Sequence, residues 1–157
     1  MTKLEQYAHL DTQLRALLAG ERDFTANASS CAALLYDALP EVNWVGFYRL
    51  RGEELIVGPF QGRPACVRIA LPRGVCGTAA TRRESIVVEN VDAFPGHIAC
   101  DAASRSEVVI PMVSDDGRLL GVLDIDSPVV ARFDDNDRRG LETIVATLLK
   151  MTDEPVF

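Results

Sequence analysis

The residues best suited to covalent chemistry in this sequence are its four cysteines: Cys31, Cys66, Cys76 and Cys100. A thiol reacts as its thiolate, so a reactive cysteine needs access and nearby positive charge. Cys100 sits in a glycine-containing stretch, Pro95-Gly96-His97-Ile98-Ala99-Cys100-Asp101. A loop there would give access, and His97 or Arg105 could supply charge if folded over it. Cys76 falls at a predicted helix N-terminus, whose partial positive charge also favours thiolate. Cys66 falls at a predicted strand start. Cys31 lies on the apolar stripe of a helix, where an inert core thiol is the default, and plain burial is an alternative for each of the others. No pair has C-x-x-C spacing, so neither a zinc ribbon nor a thioredoxin-type motif is signalled. His97 and Cys100 form at most half a metal site with no second pair to complete it, and no metal is expected.

Acids form the second group. In Asp124-Ile125-Asp126 both carboxylates would leave a strand on the same side, with Cα atoms roughly 6.5–7 Å apart. Two buried carboxylates on one face need a cation, hydrogen-bond donors or a shared proton, and one of them can then act as a proton donor. The alternative is a solvated strand end beside Ser127-Pro128. Hairpin pairing would bring Glu107 to the same end of the sheet and make an anionic corner. Aromatics form the third group. Trp44, Gly46 and Tyr48 share one strand face. Glycine between two rings would leave a gap for a small apolar or cationic group, unless the rings are simply core.

The elements that must position these groups follow from periodicity. Leu4, Tyr7, Leu10, Leu14, Leu17 and Leu18 recur at helical spacing, with Gly20 placed to end the helix. Asp23 can cap a second helix carrying Phe24, Ala28, Cys31, Leu35 and Ala38, which Pro40 stops. Strands are predicted at 43–48, 54–57, 66–69, 85–88, 107–112 and 119–125, with Asp115-Asp116-Gly117 as a hairpin turn. Residues 74–80 suggest a tight turn entering a short helix, and 94–101 an irregular loop. A final helix opens at Asp134, with Asp135 and Asp137 in its first turn and Leu141, Ile144, Val145 and Leu148 as its apolar face. Helices, then hairpin-connected strands, then a helix argue an α+β fold with a mainly antiparallel central sheet flanked by helices.

The 157 residues suit one domain spanning 1–157, and 48% apolar with 25% charged residues suits a soluble globule. A net charge of −7 without a basic cluster argues against nucleic acid. No apolar run approaches the ~20 residues of a spanning helix, and the N-terminus lacks a signal-peptide core, so no membrane partner and a cytoplasmic location are expected. There a structural disulfide framework is improbable, whereas transient redox chemistry is not.

Several blocks in order resemble one family: Asn43-Trp44-Val45-Gly46-Phe47-Tyr48, Gly58-Pro59-Phe60-Gln61-Gly62, Pro64-Ala65-Cys66, Gly74-Val75-Cys76-Gly77-Thr78-Ala79, Phe94 to Asp101, and Gly121 to Pro128. Together, from about Glu41 to Phe133, they resemble the free methionine-(R)-sulfoxide reductases, stand-alone GAF domains. The resemblance implies a GAF fold and reduction of the R epimer of free methionine sulfoxide under oxidative stress. It implies Cys100 as sulfur nucleophile, Cys66 as principal resolving thiol and Cys76 as a third relay cysteine. It implies Trp44 and Tyr48 as pocket aromatics, and Glu107, Asp124 and Asp126 as the acids that hold the amino group and polarise or protonate the sulfoxide oxygen. A redox-active disulfide recycled by thioredoxin, a homodimer and no bound cofactor are further implications. The competing expectation is a non-catalytic GAF sensor that holds a small effector in the same pocket.

Overall fold

The computed structural model describes residues 1–98, 100 and 102–154. Its order is α1 (Lys3–Leu18), α2 (Phe24–Ala38), β1 (Trp44–Arg51), β2 (Glu54–Gly62), β3 (Arg68–Ala70), α3 (Gly74–Arg82), β4 (Ile86–Val88), β5 (Ser106–Val113), β6 (Leu119–Ser127) and α4 (Asp135–Lys150), with one 3₁₀ turn at Val91–Ala93. The strands form a six-stranded sheet in the order β3-β2-β1-β6-β5-β4. Every pairing in it is antiparallel. The α+β expectation therefore holds.

Strand parity divides the sheet into two chemically different faces. Val45 and Phe47 of β1, Val108, Ile110 and Met112 of β5, and Leu123 and Ile125 of β6 pack against α1, α2 and α4 in one apolar core. The intervening positions, Trp44 and Tyr48, Val109 and Val122, pack on the other face with α3. Side chains alternate across a strand, so Gly46, Glu107, Asp124 and Asp126 take the α3 face as well. One face holds the larger apolar core, and the other combines a second apolar cluster with these polar groups.

The helical layer is fixed by its caps. Thr2 and Glu5 form a capping box on α1, and Asp134 and Asp137 form one on α4. Asp137 is only 1% exposed. It accepts from Tyr7 Oη at 2.8 Å and Lys3 Nζ at 2.7 Å, and Arg132 approaches at 3.5 Å. This predicted first-turn acid thus ties α1, α4 and the segment before α4 together. Cys31 is fully buried in the same core, and burial pushes its thiol up to about 12, which agrees with the inert role expected of it.

Most strands extend beyond their predicted ends. β1 runs to Arg51 and β2 to Gly62. The β1–β2 register shifts between Gly46 and Tyr48, where Gly58 and Pro59 lie opposite Phe47. A bulge tolerates proline, which has no N–H to give the ladder. β3 is shorter than predicted and starts at Arg68, so Cys66 lies in the preceding loop instead of at a strand start. The Asp115-Asp116-Gly117 turn forms as expected, with Gly117 at φ 86°.

Candidate functional site

A cavity of about 560 Å³, counting its open mouth, lies between the α3 face of the sheet, the N-terminus of α3 and the loops before β3 and β5. Trp44, Tyr48, Cys76, Cys100, Glu107, Asp124 and Asp126 all line it. Strand pairing assembles the acids: Glu107 of β5 lies directly opposite Asp126 of β6, and Asp124 and Asp126 face Gly46 and Trp44 of β1. The register argued from the hairpin turn is thereby realised. Glu107 and Asp124 are buried, whereas Asp126 is half-buried.

The acids change one another's chemistry. Burial holds the Glu107 carboxyl well above the usual carboxylate range, and Asp124 beside it adds to the rise. Burial does the same to Asp124, reinforced by Asp126. Oδ1 of Asp124 has no hydrogen-bond partner among the described residues. A corner of this kind can receive an ammonium group or give a proton to an oxygen.

Cys76 occupies the third residue of α3, as expected, and its Sγ lies 3.8 Å from Glu107 Oε2. The expected thiolate character is not found. Burial raises the thiol well above its ordinary value, and the carboxylates of Asp124, Glu107 and Asp126 add to that rise. Desolvation and three acids outweigh a helix dipole that acts only over one turn.

Cys66 and Cys100 are joined in a disulfide with Cα atoms 5.5 Å apart. Both are half-buried, and Cys100 stands at the cavity. Neither residue expected to bring positive charge over Cys100 is found to do so. His97 lines the cavity, but burial lowers its pKa and favours neutral imidazole. Arg105 points to Asp92 instead, at 3.9 Å on the surface. Ala99 and Asp101, quoted in the sequence motif around Cys100, lie outside the described residues.

The aromatic slot is built differently from the expectation. The Trp44 indole itself lies over Gly46, where an added Cβ would meet its Cζ3 at 2.7 Å. It stacks on Phe60 at 5.3 Å and on Tyr48 at 5.8 Å between centroids. The gap above glycine is thus filled by the ring, which becomes a wall of the cavity. The polar tips of both aromatics hold the loop that bears Cys66: Trp44 Nε1 donates to the Arg63 carbonyl at 3.1 Å, and Tyr48 Oη to the Cys66 carbonyl at 2.9 Å.

Sequence reasoning missed Arg63 and Arg73, which bring positive charge to the cavity. Arg73 is the N-cap of α3 and makes no side-chain cap hydrogen bond. Its position just before the predicted turn at Gly74 was the available signal. The backbone N–H groups of Gly74, Val75 and Cys76 precede the first i→i−4 bond of the helix, which Gly77 N makes to the Arg73 carbonyl at 2.9 Å, and all three residues line the cavity. They form a small anion-favouring group of donors at the cavity.

Comparison with known proteins agrees with this geometry. Residues 11–149 match the GAF domain family. The free methionine-R-sulfoxide reductase of Escherichia coli is 52% identical over 151 residues, covering 96% of this chain and 91% of the relative. This chain belongs to the free methionine-R-sulfoxide reductase family, oxidoreductases built on a GAF domain. Two solved structures of the family superimpose closely. The fRMsr of Staphylococcus aureus in its reduced form has a TM-score of 0.89 and 52% identity, covering 92% of this chain and 94% of that one. The free methionine-R-sulfoxide reductase of Neisseria meningitidis, in complex with its substrate, has a TM-score of 0.91 and 43% identity, covering 96% and 90%. Among the described residues no helix is long and apolar enough to cross a membrane.

Proposed function

We propose that this chain reduces free methionine (R)-sulfoxide to methionine, with Cys100 as nucleophile, Cys66 as resolving thiol and thioredoxin as external reductant. The observation that carries the proposal is the Cys66–Cys100 disulfide beside a cavity walled by Glu107 and Asp124, whose carboxyls burial shifts towards the protonated form. In the reduced enzyme the Cys100 thiolate attacks the sulfoxide sulfur. The sulfoxide oxygen is a poor leaving group until it is protonated, and an acid of the Glu107, Asp124 and Asp126 corner supplies that proton. The oxygen passes to Cys100, which becomes a sulfenic acid, and methionine leaves as the thioether. Cys66 attacks the sulfenic sulfur, water departs, and the disulfide forms. A thioredoxin dithiol then takes up the disulfide by exchange and restores both thiols. No step requires a bound cofactor.

The substrate's two charged groups find complementary partners in the cavity lining. The ammonium goes to the acids, and the carboxylate to the start of α3. A methionine sulfoxide within a peptide lacks both charges, which supports specificity for the free amino acid. Trp44 offers a π surface to the substrate methyl group. We further propose that the chain works as a homodimer in the cytoplasm.

The test is NADPH oxidation coupled through thioredoxin reductase and thioredoxin, with each epimer of free methionine sulfoxide. Turnover of the R epimer alone, lost in Cys100→Ser, is expected. No turnover of either epimer by folded, reduced wild type, even with dithiothreitol, would overturn the reductase proposal and favour a GAF sensor.

A further inference from the structure

Cys76 Sγ, a carboxylate oxygen of Glu107 and one of Asp124 all lie within 4.8 Å of one another, and all three residues are buried. Each comes from a different rigid element, α3, β5 and β6. The Sγ to Glu107 Oε2 separation is 3.8 Å. Tetrahedral zinc, with Zn–S about 2.3 Å and Zn–O about 2.0–2.2 Å, places neighbouring sulfur and oxygen ligands about 3.5 Å apart. The cluster therefore needs shifts of only a few tenths of an ångström at that edge to close on an ion. Asp124 lines the cavity and is 5% exposed, and its buried Oδ1 has no hydrogen-bond partner among the described residues.

We propose that Cys76, Glu107 and Asp124 form a binding site for a single borderline-soft divalent cation, Zn²⁺ by preference. The ion would take one sulfur and two oxygen ligands, leaving a fourth position open to the cavity. A thiolate among the ligands selects against Mg²⁺ and Ca²⁺, which require oxygen shells of six or more. The cation replaces the protons of two carboxyls and a thiol, so its binding releases protons and strengthens as pH rises. The site does not depend on Cys66 or Cys100, and it exists in the disulfide form of the chain. Its acids are those that would meet a substrate ammonium, so metal and substrate exclude each other. Bound Zn²⁺ would thus restrain the enzyme without any change to its fold.

The experiment uses the full chain with its Cys66–Cys100 disulfide intact, in buffer free of thiol reductant, titrated with Co²⁺ as a spectroscopic substitute and then with Zn²⁺. One equivalent of Co²⁺ should produce a thiolate-to-metal charge-transfer band in the near ultraviolet, displaced by Zn²⁺. Cys76→Ser should lose the band. Asp124→Asn should keep the thiol and weaken affinity roughly 10–100-fold or more, since even outer-shell changes at metal sites have effects of that size. Cys31→Ala should bind as wild type. Absence of the band in folded wild type, or its persistence in Cys76→Ser, overturns the proposal. The spectrum requires no turnover, so the outcome is independent of the reductase assay.

Discussion

Gly46→Ala tests whether the cavity wall is as tightly determined as its geometry suggests. A Cβ at this position would lie 2.5 Å from Phe60 Cβ and 2.7 Å from Trp44 Cζ3. Carbon atoms pack at about 3.5–4.0 Å, so the neighbours must retreat by about 1 Å. The indole has little freedom to do so. It is 3% exposed, stacked on Phe60 and on Tyr48, and tied by Nε1 to the Arg63 carbonyl. Overpacking alone costs about 1–3 kcal/mol. Losing the indole hydrogen bond adds about 0.5–1.5 kcal/mol, and loosening an aromatic pair a similar amount. A total near 2–6 kcal/mol corresponds to a fall in Tm of roughly 4–24 °C for a chain of this size. Displacing the wall and the Cys66 loop by about 1 Å should lower kcat/KM for the R epimer by about 100-fold. Gly52→Ala is the control: its φ is 64°, and nothing lies within 4 Å of an added Cβ. Backbone strain there costs about 1–2 kcal/mol and leaves kcat/KM within about twofold. Thermal unfolding and steady-state kinetics of the two variants decide the matter. A Gly46→Ala protein with wild-type Tm and kcat/KM would refute the wall.

Two further outcomes follow from the buried acids. Asp124 has a folded pKa raised above its unfolded value, so below the unfolded value it contributes nothing, and as pH rises towards the folded value the native state pays a growing penalty. Asp124→Asn removes that penalty, so its Tm relative to wild type, measured with a chelator present, should rise steadily from about pH 4 upward; a difference that stays flat or shrinks would contradict the assigned shift. Asp137→Ala acts in the opposite sense, because it leaves Tyr7 Oη without its acceptor and Lys3 and Arg132 without their buried counter-charge. It should destabilise by about 3–5 kcal/mol in urea unfolding and leave the Cys66–Cys100 chemistry of the refolded protein unchanged; a loss below about 1 kcal/mol would show that the network is not a clamp.

Much of the fold was legible because it rests on local periodicity. The period of two through Val108 and Ile110, and through Leu123 and Ile125, identifies a buried face, and the same parity places Glu107, Asp124 and Asp126 on the other. A turn at Gly117 then sets the register that makes Glu107 and Asp126 opposite neighbours. The errors arose where an environment is assembled from distant parts of the chain. Cys76 does sit at a helix start, but its acidity is decided by β5 and β6, which no property of residues 74–80 reveals. His97 is near Cys100 in sequence and in space, yet burial lowers its pKa. Arg105 is equally near in sequence and turns to Asp92. Gly46 reads as a gap between two rings, but whether a ligand or a neighbouring ring fills that space depends on a rotamer of Trp44.

The division of the sheet explains how so costly a site can be kept. Two carboxyl groups and a thiol buried together oppose folding, since each loses hydration without full pairing. On a single-faced sheet that cost would fall on the same surface that holds the helices. Here Phe47, Leu123 and Ile125, each fully buried, belong to an apolar core with α1, α2 and α4 that contains none of the cavity's acids. The acids alternate with them on the same strands, so the strands that are best anchored are also those that hold the reactive face still. A substitution on the cavity face can then change proton affinity, metal affinity or substrate fit with little loss of the helical core, whereas the reverse does not hold: loosening β6 from the helices would move Asp124 and Asp126 together.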